Sequence, residues 1–109
     1  MNVTFRLPHQ AEVTIEFVVD TGFAGALTLP STSILALGLP YLQEMTANLA
    51  DDNNVKADVH IATIFWNGEE KRVAVLAMGT RPLLGTSLLA GQEITIQFVE
   101  GGLLAIDDL

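Results

Sequence analysis

Apolar residues alternate with polar ones in short runs along this chain, and a period of two restricts it to a mainly β fold. Glu12 to Val19 sets Val13, Ile15 and Phe17 on one face, and Glu93 to Val99 does the same with Ile94, Ile96 and Phe98. Val3 to Leu7, Val55 to Phe65 and Arg72 to Ala77 also read as strands, Ala26 to Leu29 as a short one closed by Pro30, and Met45 to Leu49 as a weak one. Turn signals separate the runs. Asn67-Gly68 is the strongest of them, because both residues tolerate positive φ and so fit a two-residue hairpin loop. Asp51-Asp52-Asn53-Asn54 is a second turn cluster, and Gly101-Gly102 precedes a last hairpin strand from Leu103 to Ile106. Two short helices are expected. Ser31 caps one that runs through Leu37 and stops at Gly38, and Thr86 caps one that runs through Ala90 to Gly91. About eight short strands and two short helices predict a closed, barrel-like β domain.

Composition narrows the class. The chain has 109 residues, half of them apolar and 17% charged, which excludes disorder and suits one domain. No Pro/Ser-rich linker or repeat divides it. A chain of this size leaves much of its surface unburied, so pairing with a second copy is expected. With no Cys and only His9 and His60, neither a thiol nucleophile, a disulfide framework nor a metal centre is expected. Five Lys and Arg against thirteen Asp and Glu give a net charge of -8, which argues against nucleic acid and anionic membrane surfaces as partners. No apolar run approaches the roughly 20 residues of a membrane-spanning helix. Met1 to Leu7 lacks the basic and apolar blocks of a leader, so a soluble, cytoplasmic protein is the expectation.

Val18-Val19-Asp20-Thr21-Gly22-Phe23-Ala24-Gly25 is the segment richest in chemistry. The Val18-Val19 pair predicts burial on both faces of the strand end, with an Asp directly after it. A buried carboxylate costs several kcal/mol unless it is paired or hydrogen-bonded, so such groups concentrate at functional sites. Thr21 offers a hydroxyl to lock the loop, and Gly22 removes a Cβ so that backbone or substrate can come close. A structural Asp that caps the strand-to-turn junction would use the same residues. Downstream, Leu83-Leu84-Gly85 places a glycine between an apolar pair and a helix start, where another segment can pass close by.

Together these segments resemble the retropepsin-like aspartic proteases, the single-lobed relatives of pepsin. The likeness rests on the apolar-Val-Asp20-Thr21-Gly22 loop, the hairpin after it, and the apolar-apolar-Gly85 turn before a helix, and it covers the chain from about Val13 to Ile106. Gly25 with Leu27-Thr28-Leu29-Pro30 is closer to compact bacterial members than to viral ones. The resemblance implies an aspartic endopeptidase without a cofactor, in which two carboxyls share a proton and activate a water. The chain holds one Asp-Thr-Gly, and no other carboxylate follows a buried apolar run: Asp51, Asp52 and Asp58 sit in or near a polar turn, Glu69 and Glu70 flank a hairpin, and Asp107 and Asp108 lie at the tail. The second Asp20 would then come from another copy across a two-fold axis. Thr21 would bond across to its partner, Gly22 would offer its carbonyl to substrate, and Asp51, Asp52, Asn53 and Asn54 would form the flap over a bound peptide or protein substrate. The tip lacks the glycine that relatives commonly carry there, and its two acids disfavour acidic substrates. A non-catalytic, dimeric interaction domain of the same fold is the alternative; a small-ligand barrel is weaker, since no polar set converges on an apolar cavity.

The remaining residues read as structural. Trp66 packs beside the Asn67-Gly68 turn, His60 belongs to a sheet, His9 to a turn, and Glu69 to Arg72 to a solvated hairpin tip. Leu83, Leu84, Leu88 and Leu89 read as core.

Overall fold

The structure, a computed structural model, describes residues 1–9, 11–48, 54–89, 92–96 and 104–108. In chain order the elements are β1 (Asn2–Arg6), β2 (Glu12–Glu16), β3 (Val18–Val19), β4 (Leu27–Leu29), α1 (Ser31–Leu37), β5 (Tyr41–Asn48), β6 (Asn54–Trp66), β7 (Glu69–Ala77), β8 (Leu83–Leu84), α2 (Thr86–Leu89), β9 (Gln92–Ile96) and β10 (Leu104–Asp108). The mainly β expectation holds. The main sheet runs β2-β1-β6-β7-β4-β8-β3, with β5 added to β6, while β9 and β10 form a separate antiparallel pair.

The expected closed barrel is instead an open, curled half-barrel. Its two ends, β2 and β3, are successive stretches of one run of chain, and no ladder joins them among the described residues. The stretch bends at Phe17, so that β2 pairs with β1 and β3 pairs with β8. Phe17 is buried at the bend and stacks on Phe5 at 5.9 Å. Its backbone exchanges hydrogen bonds with Met1, which ties the bend to the start of the chain.

The β6–β7 hairpin is the longest ladder, from Asp58↔Ala77 to Trp66↔Glu69. Its turn is the expected one, with Asn67 at φ 54° and Gly68 at φ 80°. The burial of β6 changes face along its length. Ala62, Ile64 and Trp66 enter the main core with Val73, Val75, Leu27 and Leu84. Ala57 and Val59 join Leu76 in a second cluster, against which Phe23, Ala74 and Met78 pack. The second cluster lies on the side where the Asp20 loop returns.

Two cap assignments differ from expectation. Pro30, not Ser31, stands at the N-cap of α1, with no side-chain cap; its carbonyl receives the Ser33 and Ile34 N–H groups. Thr86 is the first residue of α2, and its hydroxyl is used on the Asp20 loop. Gly38 does end α1 in the left-handed region, at φ 68°. The strand expected from Met45 begins at Tyr41, with a register shift between Tyr41 and Gln43. Trp66 and His60 are structural, as read: Trp66 is buried, and His60 Nδ1 lies 2.9 Å from the Leu39 carbonyl while its ring meets Tyr41 edge-on. No helix among the described residues is long and apolar enough to cross a membrane.

Candidate functional site

The Asp20 loop hangs between two strands that are neighbours in sequence but not in the sheet. β8 lies between β3 and β4, parallel to the first and antiparallel to the second. Val18 N–H donates to the Pro82 carbonyl at 3.0 Å and Asp20 N–H to the Leu84 carbonyl at 2.9 Å, so the ladder runs up to the Asp itself. On the return side, Gly85 N–H reaches the Ala26 carbonyl at 2.8 Å, Thr86 N–H the Phe23 carbonyl at 2.9 Å and Ser87 N–H the Gly25 carbonyl at 3.3 Å. The Thr86 hydroxyl donates a second bond to the Phe23 carbonyl at 3.3 Å. A loop pinned at both ends and along its return holds its side chains in place.

Gly85 makes this contact possible. A Cβ there would stand 2.3 Å from the Gly25 carbonyl oxygen and 2.6 Å from that of Phe23, both backbone atoms, well inside van der Waals contact. The loop and the start of α2 can approach this closely only because position 85 has no side chain. A Cβ on Gly25 would meet the end of the Phe23 ring at 2.5 Å, so the ring occupies the space that glycine leaves.

Asp20 is half-buried, where the sequence predicted a buried carboxylate. Its Oδ1 accepts the Gly22 N–H at 2.9 Å, which closes the turn through Thr21 and fixes the carboxylate's orientation. Thr21 and Gly22 are exposed. Val18 is also exposed, at 49%, rather than buried on both faces. β3 ends the sheet path, so its outer edge has no strand partner among the described residues. The site is therefore an open lip with an oriented carboxylate.

The other expected site residues fall elsewhere. Asn54 is exposed at the start of β6 and faces Asn48 across the β5–β6 hairpin. Asp51, Asp52 and Asn53 lie outside the described residues. Asp58 is exposed within β6, not near a turn, and Glu69 and Glu70 are exposed on β7. Arg6 forms an ion pair with Glu70 and lies over the Phe65 ring. Among the described residues no three His, Asp or Glu side chains converge in the manner of a metal site.

Beside the loop lies a groove of about 610 Å³. Phe23 to Ala26 form one wall, Met45 and Thr46 of β5 another, and Lys71 to Ala74 with Leu76 of β7 the floor, with Ser87 and Leu88 of α2 at the side. Sequence reasoning gave no site role to four residues here. Phe23 packs into the second cluster and lines the groove. Thr28 is 2% exposed and accepts the Leu83 N–H on its hydroxyl at 3.2 Å, tying β4 to β8. The signal for it was a lone polar residue between Leu27 and Leu29. Lys71 and Arg72 are solvent-exposed, as read, and also line the groove. No protein-family model, no curated protein and no solved structure matches the chain.

Proposed function

We propose that the chain is an aspartic endopeptidase of the retropepsin type, active as a homodimer in which each subunit contributes Asp20. The observation that carries this reading is the Asp20 loop itself: a carboxylate oriented by the Gly22 N–H, on a loop clamped by the Gly85–Ser87 segment, at an open lip with Thr21, Gly22 and Val18 exposed. Hydrolysis of a peptide bond by water needs one carboxylate to accept a proton from the water and one carboxylic acid to give a proton to the carbonyl oxygen. Two like carboxyls brought together by a two-fold axis share one proton and supply both roles. The water oxygen adds to the carbonyl carbon, and the resulting diol breaks its C–N bond as a proton passes to the leaving amine. Thr21 would bond across the axis, Gly22 would present its carbonyl to the substrate backbone, and the segment Asp51 to Asn54, between β5 and β6 in the chain, would be the flap over the peptide.

A specific observation favours one other reading. The bond from Gly22 N–H to Asp20 accounts for the carboxylate as a turn lock, which suits a non-catalytic interaction domain equally well. Cleavage of a peptide library by wild type and by Asp20→Asn separates the two. The peptidase reading expects cleavage that disappears in Asp20→Asn while the melting curve changes little. It also expects a bell-shaped rate against pH, because the pair must hold one proton between its members, and inhibition by a peptide mimic carrying a hydroxyl at the scissile position. An Asp20→Asn protein that cleaves at the wild-type rate ends this reading.

A further inference from the structure

The groove beside the Asp20 loop has a free sheet edge and a charge that the rest of the chain does not share. β7 pairs with β6 from Glu69 to Ala77, but with β4 only over Val75 to Ala77. Opposite β6, the main chain from Glu69 to Ala74 therefore has no strand partner among the described residues, and Lys71 to Ala74 of that edge line the groove. The groove is apolar at Phe23, Met45 and Leu76 and carries Lys71 and Arg72 on alternate faces of β7, with Glu69 and the Arg6-paired Glu70 beside them at the hairpin end. Only five Lys and Arg occur in a chain of net charge -8, and two of them are here. Both are exposed, and neither is held in an ion pair or side-chain hydrogen bond with a described residue. From Glu69 to Ala74 the free edge spans roughly 17 Å at about 3.3 Å per residue, the length of about five extended peptide residues.

We propose that this groove binds an extended acidic peptide by strand addition to β7, with an apolar side chain against Phe23, Met45 and Leu76 and a carboxylate at the Lys71–Arg72 end. Main-chain bonds to the free edge supply affinity without sequence preference, and the alternating side-chain positions supply selectivity. Two cations in an otherwise acidic protein select a carboxylate and repel a cationic peptide. The inference rests on the peptidase reading only in taking the bound peptide to be the substrate. The acids Asp51 and Asp52 alone predict the reverse preference, so charge-swapped peptides decide between them.

The test uses the full-length Asp20→Asn protein, so that binding is read without cleavage. Three labelled peptides share an apolar Leu-Val-Ala start and end in Glu-Glu, Gln-Gln or Lys-Lys. The Glu peptide is expected to bind about tenfold tighter than its Gln counterpart, with the difference shrinking as salt rises and screens the charges. The difference should vanish in K71Q/R72Q, whose melting temperature should stay near the parent's because both side chains are exposed. Methylating alternate backbone nitrogens of the Glu peptide should weaken it by about tenfold, since strand addition needs those N–H groups. Equal affinity for Glu and Gln peptides, a preference that survives in K71Q/R72Q, tighter binding of the Lys peptide, or no binding at all each overturns the proposal. Failure of wild-type protein to cleave any peptide bears on the peptidase reading and leaves this binding result standing.

Discussion

At the scale of single residues, the Asp20 loop depends on a glycine that lies in neither its own strand nor its own turn but on the segment that crosses it. Gly85→Ala would push a methyl group against two backbone carbonyls at 2.3 and 2.6 Å, and neither can move without breaking the bonds that pin the loop. The expected cost is about 2–4 kcal/mol, the range of a severe overpacking substitution, with peptidase activity lost along with the loop. Gly25→Ala meets only the end of the Phe23 ring, at 2.5 Å, and a ring can swing aside. The expected cost there is about 1 kcal/mol. Denaturant melts of the two variants check the order, and equal costs would show that the loop does not bear on Gly85 as drawn. Thr28→Val makes a third comparison. It keeps the shape but takes the hydroxyl acceptor away from the half-buried Leu83 N–H, for a loss of about 1 kcal/mol.

At the scale of elements, the β6–β7 hairpin was the most legible part of the sequence, because Asn67-Gly68 permits only a narrow set of turns and the flanking runs alternate. Both turn residues have positive φ, at 54° and 80°, so Gly68→Ala places an L side chain in a region it avoids. A loss of about 1 kcal/mol or more is expected, read as a lower melting temperature with the fold retained. Gly38 at the end of α1 was legible for the same reason. The bend at Phe17 was not. An alternating run from Glu12 to Phe17 that leads straight into Val18-Val19 gives no local sign that its halves pair with different strands, because that choice depends on where β8 comes to lie. The closed-barrel expectation failed at the same place. The exposure of Val18 was hidden too: a run of two valines looks buried on both faces unless the strand is known to be terminal. At the candidate site, Asp20, Thr21, Gly22 and Gly85 were visible as residue types in a suggestive order. Their mutual contact was not, since it is made by main-chain bonds between distant segments. Lys71 and Arg72 read as solvated because alternation says which face of a strand a residue takes, but not which edge of the strand stays unpaired.

At the scale of the whole molecule, the peptidase reading demands a second copy, and the chain's charge dictates how that copy must be met. Each chain carries -8, so two chains repel at long range whatever their contact surface. The exposed lip at Val18, Thr21 and Gly22 is where they would have to approach. Repulsion of this kind reaches about 30 Å at 0.01 M salt but only about 8 Å at 0.15 M. Dimerisation is therefore expected to strengthen as salt rises over that range, with peptidase activity rising in step, because the paired Asp20 carboxyls exist only in the dimer. Binding of an acidic peptide at Lys71 and Arg72 should respond in the opposite sense, since there salt screens an attraction. The two associations can thus be told apart in one titration. Sedimentation at micromolar protein would read the dimer fraction at each salt concentration, cleavage of a neutral apolar peptide would read the activity, and the labelled Glu peptide would read the groove. A single species of monomer mass at every salt concentration, in a preparation that nevertheless cleaves, would remove the two-subunit site and require a second carboxylate from within one chain.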